Sequence, residues 1–166
     1  MASPRNIVYV DTNVIIEATR TCCWKALLNR FEIHTVEEVR REALHIPKNP
    51  KAYIPIDPQL IKDQVKVAKV EKAEILRASL KSPGIAALDP GERDLLAHLA
   101  GRPADVWLLA TADRAALKTV CQLGLNSKLI SLEQLASECG LKPKLNDWFT
   151  KNWLSKTRME FLFDSL

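Results

Sequence analysis

The sequence has few glycines and no long apolar run. Five of its 166 residues are glycine, and no G-x-G-x-x-G follows the first apolar segment, which excludes the usual dinucleotide-binding turn. No stretch reaches the roughly 18 apolar residues of a membrane helix, and the polar start MASPRN lacks the apolar core of a signal peptide. We therefore expect a cytoplasmic protein that is not a nucleotide binder of that type.

The four cysteines match neither a disulfide framework nor a zinc motif. Cys22 and Cys23 are adjacent, whereas Cys121 and Cys139 lie far along the chain. This spacing contains no C-x-x-C pair. Because thiols in the cytoplasm are kept reduced, we interpret all four as reduced, packed side chains.

Composition and charge point to an ordinary globular chain. Its length is sufficient for one hydrophobic core, and 47% hydrophobic with 27% charged residues is typical of globular domains. A net charge of +4 is compatible with a polyanionic partner, although many basic proteins bind no nucleic acid.

Short apolar runs alternate along the chain with segments whose apolar residues have helical spacing. Short apolar runs predict strands, and helical spacing predicts the helices between them. The predicted strands are residues 7–10, 31–34, 106–110 and 128–130, and the predicted helices are residues 13–29, 36–44, 90–100, 114–123 and 132–139. This alternation predicts a three-layer α/β/α sandwich with a central parallel sheet.

The middle of the chain is rich in proline and lysine. Residues 46–58 carry four of the nine prolines, so we predict a loop there. A long helix is predicted over Gln59–Leu80, in which Lys62, Lys66 and Lys69 share one face. Those lysines are either a solvated surface or a clamp for nucleic acid.

The C-terminal residues hold half of the ten aromatic side chains. These are Trp148, Phe149, Trp153, Phe161 and Phe163. So apolar a segment predicts a helical extension packed on its own domain, and the alternative is a homodimer or partner-protein surface.

Acidic residues stand near the ends of the predicted strands. Asp11 directly follows strand 7–10, and Asp113 follows strand 106–110. Glu38 comes one turn into the helix after strand 31–34, and Glu92 opens another helix. Because ligands of open α/β sheets bind outside the carboxyl ends of the strands, we expect these four acids to converge on one edge.

Each acid also has a structural interpretation. Asp11 is in position to cap the first helix. Two pairs have the spacing of a capping box: Thr35 with Glu38, and Asp89 with Glu92. The same spacing occurs in Ser131 with Gln134, where no chemistry is expected. Four carboxylates in one crevice would repel one another unless a cation were bound. Hard oxygen ligands favour Mg²⁺ or Mn²⁺ over zinc.

Four segments together resemble a known family. They are VYVDTN at 8–13, TVEEV at 35–39, GERDLLAHL at 91–99 and LLATADRAAL at 108–117. In this order they are similar to the PIN domain, a metal-dependent nuclease fold of toxin–antitoxin ribonucleases and RNA-processing factors. The resemblance covers about residues 5–140.

The resemblance implies a division of the chain and a set of site residues. A PIN-like nuclease domain would span residues 1–141, with a basic helical insertion at about 46–88 and the aromatic-rich extension at 142–166. The implied catalytic acids are Asp11, Glu38, Glu92 and Asp113, of which Glu38 would act through water and the other three would bind the metal directly.

The resemblance also implies supporting residues. Asn13 and Thr111 would be polar supports near the metal, and Glu42, one helical turn after Glu38 on the same face, is an alternative second acid. The basic residues that could contact phosphates are Arg40, Arg41, Lys62, Lys66, Lys69, Arg114 and Lys118.

The implied activity is the hydrolysis of RNA phosphodiester bonds by a water activated on Mg²⁺ or Mn²⁺. The resemblance leaves open an antitoxin or other regulatory protein, or a second copy of the chain, as a partner. One rival class is the aspartate-nucleophile phosphatases, but Asn13 stands where their second aspartate would be. The other is a catalytically inactive PIN-like scaffold that binds RNA or a protein partner.

Overall fold

Four short strands form one parallel sheet. They are β1 Ile7–Val10, β2 Glu32–Val36, β3 Val65–Ala68 and β4 Leu108–Ala110. The structure is a computed structural model that describes residues 3–49, 51 and 53–164. The sheet has the order β3-β2-β1-β4, and all its pairings are parallel. The predicted α/β class with a central parallel sheet is confirmed.

Nine α-helices flank this sheet within the described residues. They are α1 Thr12–Arg20, α2 Trp24–Arg30, α3 Glu37–Ala43, α4 Pro58–Gln64, α5 Lys72–Lys81, α6 Pro90–Ala100, α7 Arg114–Gln122, α8 Leu132–Glu138 and α9 Lys151–Asp164. Short 3₁₀ turns lie at Pro83–Ala87, Asn126–Lys128 and Asp147–Phe149.

The topological switch point of the sheet lies between β1 and β4, where the direction in which the chain adds strands is reversed. The chain builds outward from β1 through β2 to β3, and it then returns to place β4 on the other side of β1. Val8 and Val10 of β1 are completely buried and pair with Leu108 and Ala110 of β4. In open α/β sheets such a switch point leaves a crevice beyond the carboxyl ends of the two strands.

The predicted helix over residues 13–29 is two helices. α1 ends at Arg20, and Cys22 adopts a left-handed conformation with φ of 60° before α2 begins. The hydroxyls of Thr19 and Thr21 donate to the carbonyls of Ile15 and Glu17. Hydroxyl bonding of this kind competes with regular helix geometry.

The predicted helix over Gln59–Leu80 is wrong in its middle. Only its two ends are helical, as α4 and α5, and β3 lies between them. Val65 and Val67 alternate with Lys66, which is the period of a strand, and they pair with Ile33 and Thr35 of β2. A common lysine face is therefore not formed, because Lys62 lies on α4, Lys66 on β3 and Lys69 after β3.

The predicted strands at 106–110 and 128–130 are shorter in the structure. β4 begins at Leu108. Residues near 129 contribute one isolated parallel bridge between Leu109 and Leu129, after a 3₁₀ turn. Within the described residues, the edge of β4 thus meets one bridge and no fifth strand.

The C-terminal residues pack on the same core. α9 lies against α7, and Phe149, Leu154 and Phe161 are buried. Residues 1–2 and 165–166 of the predicted segments, and residues 50 and 52 of the predicted insertion, lie outside the described residues. No helix in the described part of the chain is long and apolar enough to span a membrane.

Candidate functional site

Asp11 connects the ends of β1 and β4, the two strands at the switch point. It follows β1, is only 2% exposed, and caps α1 by accepting a hydrogen bond from the backbone N–H of Val14 at 2.9 Å. Its other carboxylate oxygen accepts from the hydroxyl of Thr111, the residue that follows β4. Two donors from distant segments therefore fix the orientation of this carboxylate.

A cavity of 250 Å³ lies beside Asp11. Its walls come from the end of β1, from α3 and from the start of α6, and they are formed by Asp11, Thr12, Asn13, Glu42, Asp89, Pro90 and Glu92. The cavity thus collects carboxylates from three segments of the chain at the switch point of the sheet.

Glu42 is held in this cavity by two hydrogen bonds. Its carboxylate accepts from the hydroxyl of Thr12 at 2.8 Å and from the backbone N–H of Gly91 at 2.9 Å. A Cβ at position 91 would lie 2.8 Å from the carboxyl carbon of Glu42. The absence of a side chain at Gly91 is therefore what allows the carboxylate to approach the start of α6 so closely.

Glu38 lies outside the cavity. Its carboxylate is paired with the guanidinium of Arg41 on the same helix at 2.5 Å, and this hydrogen bond holds the pKa of Glu38 below its ordinary value. Of the two candidate second acids, the structure brings Glu42 to Asp11 and Glu92, and it does not bring Glu38 there.

Glu92 is in the most unfavourable electrostatic position of the cavity. Burial raises its pKa to about 8, and the next strongest causes are the charges of four other carboxylates: Asp113, Asp11, Asp89 and Glu42. Its carboxylate has no hydrogen-bond or ion-pair partner among the described residues. Burial likewise raises the pKa of Asp11 to about 6, although the hydrogen bonds from Thr111 and Val14 oppose this.

Asp113 lies three residues after the end of β4, and it does not line the cavity. It caps α7 by accepting from the backbone N–H of Ala116 at 2.8 Å. Its own N–H donates to the hydroxyl of Thr111 at 3.4 Å. Its charge nevertheless raises the pKa of both Asp11 and Glu92, so Asp113 contributes to the negative potential of the cavity.

The capping interpretation holds for some of these acids and not for others. Asp11 and Asp113 are helix caps. Asp89 begins α6 without a side-chain capping bond, and α3 begins after Val36 rather than at Thr35. Ser131 and Gln134, by contrast, form a complete capping box at α8. Capping therefore does not account for Glu92 or Glu38.

None of the predicted phosphate-contacting residues lines the acidic cavity. Several are engaged elsewhere: Lys66 pairs with Glu32 at 2.7 Å, Lys69 with Glu71 at 3.8 Å, and Arg114 with Glu160 at 2.9 Å. Arg40 and Arg41 lie beside Glu38 in a separate surface hollow. Lys62 and Lys118 are exposed on α4 and α7.

Thr12 and Gly91, which position Glu42, were not among the residues predicted from the sequence. Both residues lie within segments that carried the resemblance, DTN and GERD. A glycine at the second position of a helix is the feature that could have drawn attention to a close approach at that point.

The cavity has the donor chemistry of a site for a hard divalent cation. Four carboxylates line it, and no basic side chain does so among the described residues. As the side chains stand, residues 3–49, 51 and 53–164 contain no group of three or more His, Cys, Asp or Glu side chains that could hold a metal ion. Mg²⁺ is commonly held through one or two carboxylates, with waters and substrate phosphates completing its coordination. Asp11 and Glu92 would provide such a pair.

The parallel sheet and its acidic crevice define an α/β protein with a carboxylate cavity at the topological switch point. Comparison of the chain with models of protein families and with curated proteins found no match. Functional inference therefore depends on the site itself and on the resemblance of the four sequence segments.

Proposed function

We propose that this protein is a metal-dependent endoribonuclease that hydrolyses RNA phosphodiester bonds at the acidic cavity. The observation that carries the proposal is the environment of Glu92, a half-buried carboxylate in the cavity whose pKa is raised first by burial and then by the charges of four other carboxylates. Crowding of like charges opposes folding, and it is explained if the site binds a divalent cation, which could in turn hold a phosphate. The likeness of its segments to PIN domains supports the same activity.

The residues that would hold Mg²⁺ or Mn²⁺ are Asp11 and Glu92, with Glu42 as the further acid. When bound, such an ion lowers the pKa of a water molecule and neutralises charge on the phosphate. The carboxylates of Asp11 and Glu42 are already oriented by hydrogen bonds. Asp11 is held by Val14 and Thr111. Glu42 is held by Thr12 and Gly91. An oriented ligand loses little conformational entropy on binding.

Glu92 would respond to the ligand through its proton. Because its pKa is about 8, its carboxyl group is largely protonated at neutral pH when no cation is bound. Cation binding favours the ionised form, so it would release this proton. Asn13, exposed at the rim of the cavity, provides an amide that can hydrogen-bond to the RNA.

The proposal is tested by RNA cleavage in Mg²⁺, Mn²⁺ or EDTA with matched variants. Loss of even an indirect partner of a metal ligand commonly costs about 10- to 100-fold. We therefore expect Asp11→Asn, Glu42→Gln and Glu92→Gln each to lose at least about 100-fold in rate. Glu38→Gln is the control, because Glu38 carries the same charge as Glu42 and lies on the same helix, α3, but outside the cavity.

A second measurement does not depend on activity. At about pH 8, millimolar Mg²⁺ or Mn²⁺ should raise the melting temperature of the wild type, because a cation that binds only the folded state stabilises it. The variants Asp11→Asn and Glu92→Gln should respond less than Glu38→Gln. No cleavage and no metal-dependent stabilisation in the folded wild type would contradict the proposal.

The second candidate function is a non-catalytic scaffold with the same fold. It is favoured by the capping roles of Asp11 and Asp113 and by the absence, in the described residues, of three side chains that could hold a metal as they stand. On this alternative, wild type and Asp11→Asn would bind RNA or a protein partner equally well, and neither would cleave RNA with any cation.

A further inference from the structure

A second cavity adjoins the acidic one and shares Asn13 with it. It has a volume of 610 Å³, and its walls include Asn13, Arg20, Lys51, Tyr53 and Trp148. We propose that this cavity binds a nucleobase of single-stranded RNA by stacking on Trp148 and Tyr53. The inference rests on the proposed function, because it takes the phosphodiester next to that base to lie over the acidic cavity.

Trp148 is presented by a turn that is anchored on both sides. It lies in the 3₁₀ turn Asp147–Phe149, where the side chain of Phe149 is buried in the core. The backbone N–H of Asn146 donates to the carboxylate of Glu17, 129 residues earlier in the chain, at 2.7 Å. Trp148 itself remains 48% exposed. A large aromatic ring is thus held at the surface by a rigid support, which lowers the entropic cost of stacking.

The polar edges of both aromatic rings are free. The indole N–H of Trp148 and the hydroxyl of Tyr53 have no hydrogen-bond partner among the described residues. Tyr53 is half-buried in the proline-rich segment, and its ring lines the same cavity as Trp148. Sugar or phosphate oxygens of the RNA that lie beside the ring planes could therefore accept hydrogen bonds from these groups while a base stacks on the ring faces.

The charges around this cavity suit an RNA backbone better than those of the acidic cavity do. Its one wall carboxylate, Glu17, is neutralised by the guanidinium of Arg20 at 2.6 Å and accepts from Asn146. Lys51 is exposed and has no ion-pair partner among the described residues. Aromatic rings beside an uncompensated basic side chain are the usual components of a single-strand binding surface.

Single-stranded RNA is the occupant because the rings need an open base face. Bases of a duplex are stacked on their neighbours, and their faces are not accessible to side chains. Asn13 lines both cavities, so the two cavities are neighbours. A nucleotide whose base enters the larger cavity would therefore extend its phosphate toward Asp11.

The test is RNA binding in EDTA, which separates binding from cleavage. A short fluorescently labelled single-stranded RNA is titrated with wild type, Trp148→Ala and Tyr53→Ala. Stacking of one base on an aromatic side chain corresponds to about a 5- to 150-fold change in affinity, so we expect each variant to lose affinity by that factor. Trp148→Phe should retain most of it. Phe163→Ala is the matched control, because Phe163 is also exposed, at 64%, but lies on α9 outside the cavity.

Tryptophan fluorescence gives a second readout on the same samples. Trp24 and Trp107 are buried and Trp153 is half-buried, so quenching by RNA should come mainly from Trp148 and should disappear in Trp148→Phe. The same RNA annealed to its complement should bind more weakly and produce little quenching.

The outcomes distinguish this inference from the proposed function. Selective loss of affinity in Trp148→Ala and Tyr53→Ala supports the stacking site whether or not the protein cleaves RNA. Unchanged affinity in both folded variants, or no RNA binding by the folded wild type in EDTA, overturns the stacking site. Metal-dependent cleavage by variants that bind normally would leave the nuclease proposal in place and would still overturn the stacking site.

Discussion

Replacement of Glu92 by glutamine should stabilise the protein at alkaline pH. The folded state raises the pKa of Glu92 from 4.5 to about 8, so between these values the folded chain binds more protons than the unfolded chain. Stability therefore falls as the pH rises through this range. Glu92→Gln removes the ionised form and with it the repulsion from the neighbouring carboxylates.

The size of the effect follows from the shift in pKa. A pKa raised from 4.5 to about 8 corresponds to at most about 4 to 5 kcal/mol of unfavourable free energy in the ionised form. The side chain is partly exposed, so solvent and salt screen the repulsion, and we expect about 2 kcal/mol to be measurable. In a chain of 166 residues this raises the melting temperature by about 4 to 8 °C.

The assay is urea or thermal unfolding in EDTA at about pH 4 and about pH 9. Wild type and Glu92→Gln should have nearly equal stability at the lower pH, where the carboxyl group is protonated in both states. At the higher pH the variant should be more stable. Glu138→Gln, on the exposed surface of α8, is the control and should change stability by less than about 0.5 kcal/mol at either pH. A variant that is no more stable than wild type at pH 9, or equally stabilised at both pH values, would refute the electrostatic reasoning.

Two further substitutions test how the cavity carboxylates are held. Gly91→Ala places a Cβ against the carboxylate of Glu42, and that flexible side chain can rotate away at little cost. RNA cleavage should therefore fall to the level of Glu42→Gln. The free energy of unfolding, measured in urea, should change by less than about 1 kcal/mol. An equal loss of stability and activity would show that the glycine serves the fold instead. Thr111→Val removes the hydroxyl that donates to the buried Asp11, so stability should fall by about 1 to 3 kcal/mol at neutral pH. Thr111→Ser should restore most of it in the same measurement, and failure of serine to do so would place the effect in packing of the Thr111 methyl group.

The parallel α/β class, and the strands that precede Asp11 and Asp113, could be predicted from the sequence because the relevant information is local. The strands that precede Asp11 and Asp113 are short apolar runs that end abruptly on polar residues. The choice between Glu38 and Glu42 is different, because these residues lie one turn apart on the same helical face. What separates them is the contact of Glu42 with Thr12 and Gly91, across 30 and 49 residues.

Two other features were missed for related reasons. In β3 the lysine spacing resembles a helical repeat, whereas the alternation of Val65, Lys66 and Val67 is that of a strand, and the pairing with β2 decides between them. The exposure of Trp148 beside Asn13 depends on the long-range bond between Asn146 and Glu17. Composition identified an aromatic C-terminus, but no local pattern could show which ring would remain at the surface.

The position of β3 has a consequence for how the protein behaves in concentrated solution. β3 is an edge strand, and an edge with free backbone groups can pair with the edge of another molecule and start aggregation. Lys66 projects from this strand and is exposed, and Lys69 follows directly after it. Charged side chains on an edge oppose such pairing because they would lose their water in the contact with a second edge. Lys66 and Lys69 thus oppose the addition of a strand from another molecule at the β3 edge.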